Sequence, residues 1–383
     1  MKKVAIMFGG VSSEHEVSII TGLQIAEKVD RNKFEPVVIY VDKKGRFRYY
    51  PGFKSRRDFK EINPLSINFS RDEKGSYIYS PGVLGKKIYL DCVYLAFHGG
   101  LGEGGSMQGF LDILDLPYTS PDTEGSVVGM SKVIGKEILR NHKIPLVDDI
   151  VLTDNCCRDE KQLDSNVEKV VKKLELPVII KPAHFGSSIG IEIAKTEIEL
   201  TKGILAAAQL DSEILIEKFL KGIQEYNISV RTVNNSVAVS EIEKPLAEDE
   251  ILSFMDKYGK GGKKNAGGMA SLVRELPAKI SEKEKKLIVK YAKTIYKALR
   301  CNGLVRIDFM KDETGDLYFT EINTIPGSMS FYLWEASGVP FTQQITESIE
   351  QAFHDYENRV NKYIEYESDI VDKWIGHGSD SEG

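Results

Sequence analysis

The residues best suited to do chemistry lie near the C-terminal end of the chain, as Arg306-Ile307-Asp308 and Glu321-Ile322-Asn323. The intervening Lys311–Asp316 holds Asp, Gly and Thr and reads as a hairpin turn between two strands. Strand side chains alternate faces, so Arg306 shares a face with Asp308, and Glu321 with Asn323. With both pairs inward, two carboxylates and an amide oxygen converge beside a guanidinium, a set of hard oxygen ligands suited to Mg²⁺ bridging nucleotide phosphates. A salt-bridged surface hairpin would use the same residue types. Earlier, Lys181 closes the apolar run Pro177 to Ile180 and leads into Pro182-Ala183-His184-Phe185-Gly186-Ser187-Ser188-Ile189-Gly190. A lysine there can reach a phosphate, and the glycine-flanked serines let backbone N–H groups approach one closely. A Ser/Gly turn beside a solvated lysine is the competing reading. The chain contains no Walker A pattern, GxxxxGK[ST].

Other motifs carry less. Gly100-Leu101-Gly102-Glu103-Gly104-Gly105 matches GxGxxG after a strand, but the later strand and ribose-binding acid that a dinucleotide fingerprint needs are missing. Met107–Leu114 reads as a helix, and Asp122 stands too early, in a Pro-rich turn. His15-Glu16 begins HExxH without its second histidine. His15 and His98 both come after apolar strands near glycine-rich turns, and hydrogen-bonded structural histidines fit as well as catalytic ones. Cys156-Cys157 read as loop thiols.

The elements that position these residues read as α/β and α+β. Residues 1–120 alternate strands (Val4–Phe8, Pro36–Val41, Tyr89–Phe97) with helices such as Thr21–Lys28, the rhythm of a parallel sheet with helices on its faces. Ser12 and Ser13 offer helix-capping hydroxyls. Residues 121–215 read as a smaller α+β unit, with helices near Ser131–Asn141 and 197–208 and strands near 147–152 and 177–181. Residues 216–357 form the remaining body. Its strands are Ile214–Glu217, Glu225–Val233, Ser236–Glu243, Leu304–Met310 and Leu317–Asn323, and its long helix is Glu282–Leu299. Within it, residues 245–272 are polar and glycine-rich, as a lid loop would be. Residues 358–383 read as an acidic tail without a fold of its own.

At 383 residues the chain should hold two or three domains. The apolar fraction of 42% and charged fraction of 28% are those of a globular protein. A net charge of −6 argues against nucleic-acid or anionic-membrane partners. No run is long enough for a membrane span or a signal peptide, and four cysteines without CxxC spacing fit reduced thiols, so a cytoplasmic location is expected.

Taken in order, the motif-bearing segments resemble the D-alanine–D-alanine ligases of the ATP-grasp superfamily over roughly residues 3–352. The resemblance is carried by Phe8-Gly9-Gly10-Val11-Ser12-Ser13-Glu14-His15-Glu16-Val17-Ser18, His98–Gly105, Gln108-Gly109, Leu116-Pro117-Tyr118-Thr119, Lys181–Gly190 and Arg306–Gly327. It implies an ATP-grasp fold with an N-terminal Rossmann-like (pre-ATP-grasp) domain, ATP and two Mg²⁺ ions (or Mn²⁺) as cofactors, small amino acids as substrates and a homodimer as assembly. Lys132 and Lys181 would contact ATP phosphates under a loop carrying Ser187 and Ser188. Glu217 and Glu225 would hold adenine and ribose, and Asp308, Glu321 and Asn323 the metal ions. Glu14 would pair with the first substrate's ammonium. Arg306 and the Gly327 N–H would stabilise a tetrahedral intermediate. His98, Lys257, Ser330 and Tyr332 would lie around the substrates, and Tyr258 would bond to Ser187.

The chain departs from the family pattern where the second substrate is gripped. By direct count from Gly327, Tyr332 stands at the position expected to hold a serine, and the usual Glu-Asp-Gly is here Glu103-Gly104-Gly105. The resemblance thus implies formation of D-alanyl-D-alanine through an acyl phosphate. A related dipeptide or depsipeptide ligase with another acceptor is the alternative, and a catalytically silent nucleotide-binding regulator is the rival from another class.

Overall fold

The structure is a computed structural model and describes residues 1–82, 86–157, 159–246, 273–360 and 368–377. Apolar stretches at the N-terminus build β1 (Lys2–Gly9), β2 (Phe34–Val41), β3 (Phe47–Tyr50) and β4 (Leu65–Ser66). A small antiparallel sheet of β5 (Asn68–Asp72), β6 (Gly75–Tyr79) and β7 (Ile88–Tyr89) comes next, then β8 (Cys92–Leu95) and β9 (Tyr118–Thr119). The main sheet runs β4-β3-β2-β1-β8-β9. It is parallel from β2 through β9 and antiparallel at the β3–β4 edge. Its central strands are apolar on both faces, as strands covered on both sides must be.

The expected Tyr89–Phe97 strand is two strands in two sheets. Leu90 N–H still bonds to Ser76 in the small sheet, whereas the next residue, Asp91, binds Lys3 N–H through its carboxylate at 2.6 Å and joins the main one. Between β1 and β9 run α1 (His15–Lys28), α2 (Asp58–Glu61), α3 (Gly100–Glu103) and α4 (Ser106–Ile113). Helix α1 begins six residues earlier than expected, and neither serine caps it. Ser12 Oγ instead accepts from Glu14 N–H and donates to the His98 carbonyl, tying two chemistry-bearing loops together. A strand does come after the GxGxxG stretch, since β9 pairs with β8. Just before that stretch Gly99 (φ +66°) allows a close approach to Glu14, since a Cβ there would come within 2.8 Å of its carboxylate.

Next come α5 (Thr123–Met130), α6 (Lys132–Asn141), β10 (Asp149–Thr153), α7 (Glu160–Leu174), β11 (Val178–Pro182), β12 (Glu192–Ala194), α8 (Glu197–Ala208) and β13 (Glu213–Lys218). Asp122, expected in a turn, is the N-cap of α5 and accepts from Gly125 N–H. Helix α7 is not among the expected elements, although its buried Leu163, Val167, Val170 and Leu174 have helical spacing. The second sheet runs β10-β13-β11-β12. Ile214–Glu217, grouped by sequence with the C-terminal body, therefore belongs to this sheet as part of β13. Conversely, Leu139 and Ile144 pack into the C-terminal core with Ile295 and Phe319, so α6 bridges the two bodies.

The third sheet, β16-β15-β14-β17-β18, is built from β14 (Gln224–Val233), β15 (Ser236–Pro245), β16 (Arg274–Glu275), β17 (Leu304–Lys311) and β18 (Leu317–Asn323). Helix α9 (Glu282–Ala298) starts with a full capping box from Ser281 and Glu284 and covers one face. Helices α10 (Phe331–Ala336) and α11 (Phe341–Val360) return the chain to the N-terminal sheet, where Ile345, Ile349 and Ala352 join its core. The region expected to lack a fold contains the end of α11 and α12 (Ile370–His377). In α12 the apolar residues Ile370, Val371, Trp374 and Ile375 recur at helical spacing.

Candidate active site

The Arg306–Asn323 hairpin has the expected register. Arg306 stands across from Asn323 and Asp308 from Glu321, with a bulge beyond Asp308. Arg306 grips Asp308 bidentately, with Nε and Nη2 each donating at 2.7 Å. Burial would lower the guanidinium's pKa, but Asp308 overrides it and raises that pKa well above its ordinary value. The Asn323 amide nitrogen donates to Asp308 at 3.0 Å, which leaves the amide oxygen for a ligand. The surface-hairpin reading therefore fails: Arg306 is buried, and its pair lies in the wall of a cavity.

Two cavities meet at this wall. One is lined by Glu14, His98, Ser187, Arg306, Asn323 and Gly327, among others. The other is lined by Lys181, Ser188, Glu225, Asn227, Asp308 and apolar residues including Ile179 and Met310. Lys132, Thr320 and Glu321 line both. Lys132 is held in place by donating to the Phe185 carbonyl at 2.5 Å and lies 3.7 Å from Glu321. A polar, carboxylate-bearing cavity thus opens through a lysine and a glutamate onto one with an apolar wall and two lysines, concave sites with a few convergent polar groups of the kind that take small ligands.

The Lys181 loop folds back over this junction. Ser187 and Ser188 both adopt left-handed backbone (φ 51° and 60°), conformations that cost about 1–3 kcal/mol each and persist only where surroundings enforce them. Here Ser187 Oγ donates to the Glu14 carboxylate, joining the loop to the N-terminal body. At the loop's other end Asp211 accepts from His184 N–H at 2.7 Å and from its ring at 2.9 Å. That hydrogen bond raises the imidazole pKa.

Several expected residues lie elsewhere. Glu217, expected beside adenine and ribose, has its carboxylate buried among lysines instead, contacting Lys181 and Lys136. Burial opposes its charge, but Lys181 and then Lys136 outweigh this and hold its pKa at about 2. His98 lines the same cavity as Glu14, yet both ring nitrogens are committed, Nε2 to Thr21 Oγ1 at 2.8 Å and Nδ1 to the Ile325 carbonyl at 2.7 Å. His15 is equally structural, bonded to the Gly10 carbonyl and the Tyr40 hydroxyl. Ser330 is buried with a hydroxyl that has no hydrogen-bond partner, at the end of three successive left-handed residues, Ser328, Met329 and Ser330. Tyr332 is also buried and donates to Glu243 at 2.9 Å, while Arg274 binds the other Glu243 oxygen and stacks on the phenol ring. Lys257 and Tyr258 lie outside the described residues.

Sequence reasoning missed Glu103 and Lys136 as site-building residues. Glu103 accepts from Gly99 N–H (2.7 Å), Ile325 N–H (2.9 Å) and the Thr324 hydroxyl (3.1 Å), fastening the N-terminal body to the strand end before Gly327. Burial, then the Glu14 charge, pushes its pKa to about 7.

These shifts give an expected pH dependence. Burial lowers the His98 pKa from 6.5 to about 4, so the unfolded chain takes up that proton first. Its contribution to stability is whole above 6.5 and lost as pH falls towards 4, by about 3 kcal/mol in all. Glu103, raised from 4.5, acts oppositely: its contribution is whole below 4.5 and lost as pH rises through about 7. Melting temperatures of wild type and His98→Gln between pH 7 and 4 check the first term. The variant should show the shallower acid loss, and parallel curves would contradict the assignment.

Among the described residues no three His, Cys, Asp or Glu side chains form a metal cluster. Asp308, Glu321 and Asn323 offer fewer donors than octahedral Mg²⁺ needs, and Mg²⁺ characteristically completes its shell from phosphate and water. The set therefore fits an ion that arrives with a nucleotide, and its position on the wall shared by the two cavities is where phosphate would enter.

Two antiparallel sheets with cavities beneath the Lys181 loop, behind a Rossmann-like domain, define an ATP-grasp ligase. Comparison with known proteins narrows the class. Family models described as D-ala D-ala ligase N-terminus and C-terminus match residues 3–121 and 138–350. A D-alanine–D-alanine ligase of Thermosipho africanus is 34% identical over 97% of this chain and 99% of its own. Another, from Shouchella clausii, is 34% identical over 93% and 96%. Among solved structures, the D-alanine–D-alanine ligase of Coxiella burnetii superposes with a TM-score of 0.79 at 25% identity, covering 94% of this chain and 96% of its own. The VanG D-Ala:D-Ser ligase of Enterococcus faecalis gives 0.76 at 25% identity, covering 92% and 99%. The chain belongs to the D-alanine–D-alanine ligase family.

Proposed function

We propose that this protein joins two D-alanine molecules at the expense of ATP, in the cytoplasm, to supply a dipeptide for peptidoglycan precursors. The observation that carries this reading is the shared wall: Arg306, Asp308 and Glu321 stand between a cavity ending in Glu14 and one holding Lys181 and Ser188. In the cavity that it lines, Glu14 pairs with the first substrate's ammonium, turning its carboxylate towards Lys132 and Glu321. A carboxylate oxygen attacks the γ-phosphorus of ATP, the bond to ADP breaks, and an acyl phosphate forms. Bound Mg²⁺ would supply charge neutralisation on the phosphates at Asp308, Glu321 and Asn323. Lys132 and Lys181 add fixed positive charge, which is most of what phosphoryl transfer requires of a protein. The second substrate's amine then attacks the acyl carbon and loses a proton, and phosphate leaves. Arg306 and the Gly327 N–H, which line the Glu14 cavity, stabilise the oxyanion of that step. The Ser187 loop over Glu14 keeps water from the acyl phosphate.

The test is phosphate release from MgATP over a panel of amino acids, with products read by mass spectrometry. D-Alanine alone should yield the dipeptide. Turnover only with a second, different acceptor would establish the altered-acceptor reading, and nucleotide binding without turnover would establish a silent regulator. The altered-acceptor reading is supported by Tyr332, whose proton is committed to Glu243 and is not offered to a carboxylate. On that reading Tyr332→Ser increases kcat/KM for D-alanine relative to other acceptors. The ratio is the right measure, since truncating a buried aromatic costs about 3–5 kcal/mol of stability by itself. An unchanged or lower ratio returns D-alanine as the native acceptor.

A further inference from the structure

Helix α6 presents Lys132, Lys136 and Arg140 at successive i, i+4 positions, one face of a helix. Lys132 reaches the cavities. Lys136, 2% exposed, reaches the sheet behind them, where its ammonium lies 2.5 Å from both Glu217 Oε1 and Asp149 Oδ2 and 3.0 Å from the Val147 carbonyl. Arg140 binds both oxygens of Asp149.

The register explains why a buried cation is needed there. Asp149 of β10 and Glu217 of β13 are directly opposed, both nearly fully buried. Like charges so placed repel, and in a low-dielectric interior the repulsion is large unless a cation lies between them. Lys136 is that cation. With one Glu217 oxygen fixed by Lys136, the other is aimed at Lys181 of β11, the strand on the far side of β13. Lys181 lines the nucleotide cavity; among its lining residues Lys136 and Glu217 do not appear.

We propose that Lys136 is a positioning residue for nucleotide binding: through Glu217 it holds the Lys181 ammonium at the cavity wall, and through α6 it locks that wall to Lys132. The inference rests on the ATP-dependent ligase reading. Its substance is a relay, Lys136 to Glu217 to Lys181, running across the junction of the two bodies beneath the site. Lys136 itself touches no substrate.

Calorimetric titration of the full-length protein with MgADP, paired with KM for D-alanine, tests it. Lys136→Met should weaken MgADP by about tenfold or more, the scale seen when a partner that orients a ligand-binding group is removed. KM for D-alanine, set in the other cavity, should stay within about twofold, and Lys136→Arg should recover most of the affinity. Arg140→Met removes a neighbouring contact on the same helix face, from an exposed guanidinium to the buried Asp149, without touching Glu217, and should leave MgADP affinity unchanged. Glu217→Gln relieves the opposed charges, so it serves should Lys136→Met fail to fold, and it should show the same weakening as Lys136→Met. Wild-type affinity in Glu217→Gln, or equal losses in Lys136→Met and Arg140→Met, would overturn the relay. A wild-type protein that binds no MgADP would instead remove the ligase reading beneath it.

Discussion

Arg306→Lys is expected to lower kcat by about 10²–10³-fold while leaving KM for ATP little changed. That is the usual cost of removing one preorganised donor from a developing oxyanion. Lysine keeps the charge but not the planar fork, so it cannot hold Asp308 through two parallel 2.7 Å bonds and still face the cavity. Asp308 would then turn towards whatever cation is nearest, and the geometry of the shared wall would be lost with it. Steady-state phosphate release with saturating MgATP and D-alanine measures the effect. A loss under tenfold would mean that a point charge is sufficient and that the fork is only structural.

Asp308→Asn is expected to act on the same wall from the other side, with a different signature. The amide cannot neutralise Arg306, which is buried, and an uncompensated buried charge costs about 3–5 kcal/mol of stability. It also removes one of the two carboxylates available to Mg²⁺. Activity should fall about 100-fold, and the Mg²⁺ concentration giving half-maximal rate should rise about tenfold or more. Titrating MgCl₂ at fixed ATP separates this from Arg306→Lys, which should leave the Mg²⁺ midpoint in place. Coincident midpoints for Asp308→Asn and wild type would remove Asp308 from the metal set.

The hairpin behind both predictions is legible in the sequence because its information is local. A turn-rich hexapeptide between two apolar stretches fixes a hairpin, and period-two alternation fixes which side chains share a face. Arg306, Asp308, Glu321 and Asn323 come together as expected, and so does the Lys181 loop over the same cavity. The same locality misleads at Tyr89–Phe97, where one apolar run serves two sheets, and at Glu217, whose side chain depends on a helix some eighty residues earlier. In the tail, an acidic composition hides the helical spacing of Ile370, Val371, Trp374 and Ile375.

By itself, the sequence determined the chemistry available: the carboxylates, the guanidinium, the lysine with its glycine-flanked loop, and most of the strands and helices that carry them. Only the tertiary structure decided which of those groups face a cavity and which are buried against one another. Glu217 and Glu225 lie close in sequence, on strands of different sheets. One is sealed between Lys136 and Lys181 and the other lines the cavity that Lys181 also lines. Glu103, in a stretch that resembles a dinucleotide fingerprint, is the clasp between two bodies because three donors, two of them from a distant segment, converge on it. The physical reason is the same in each case. Backbone periodicity is set by neighbours in the chain, whereas the state of a charge is set by the solvent it loses and the partner it gains, and both depend on which distant elements pack against it.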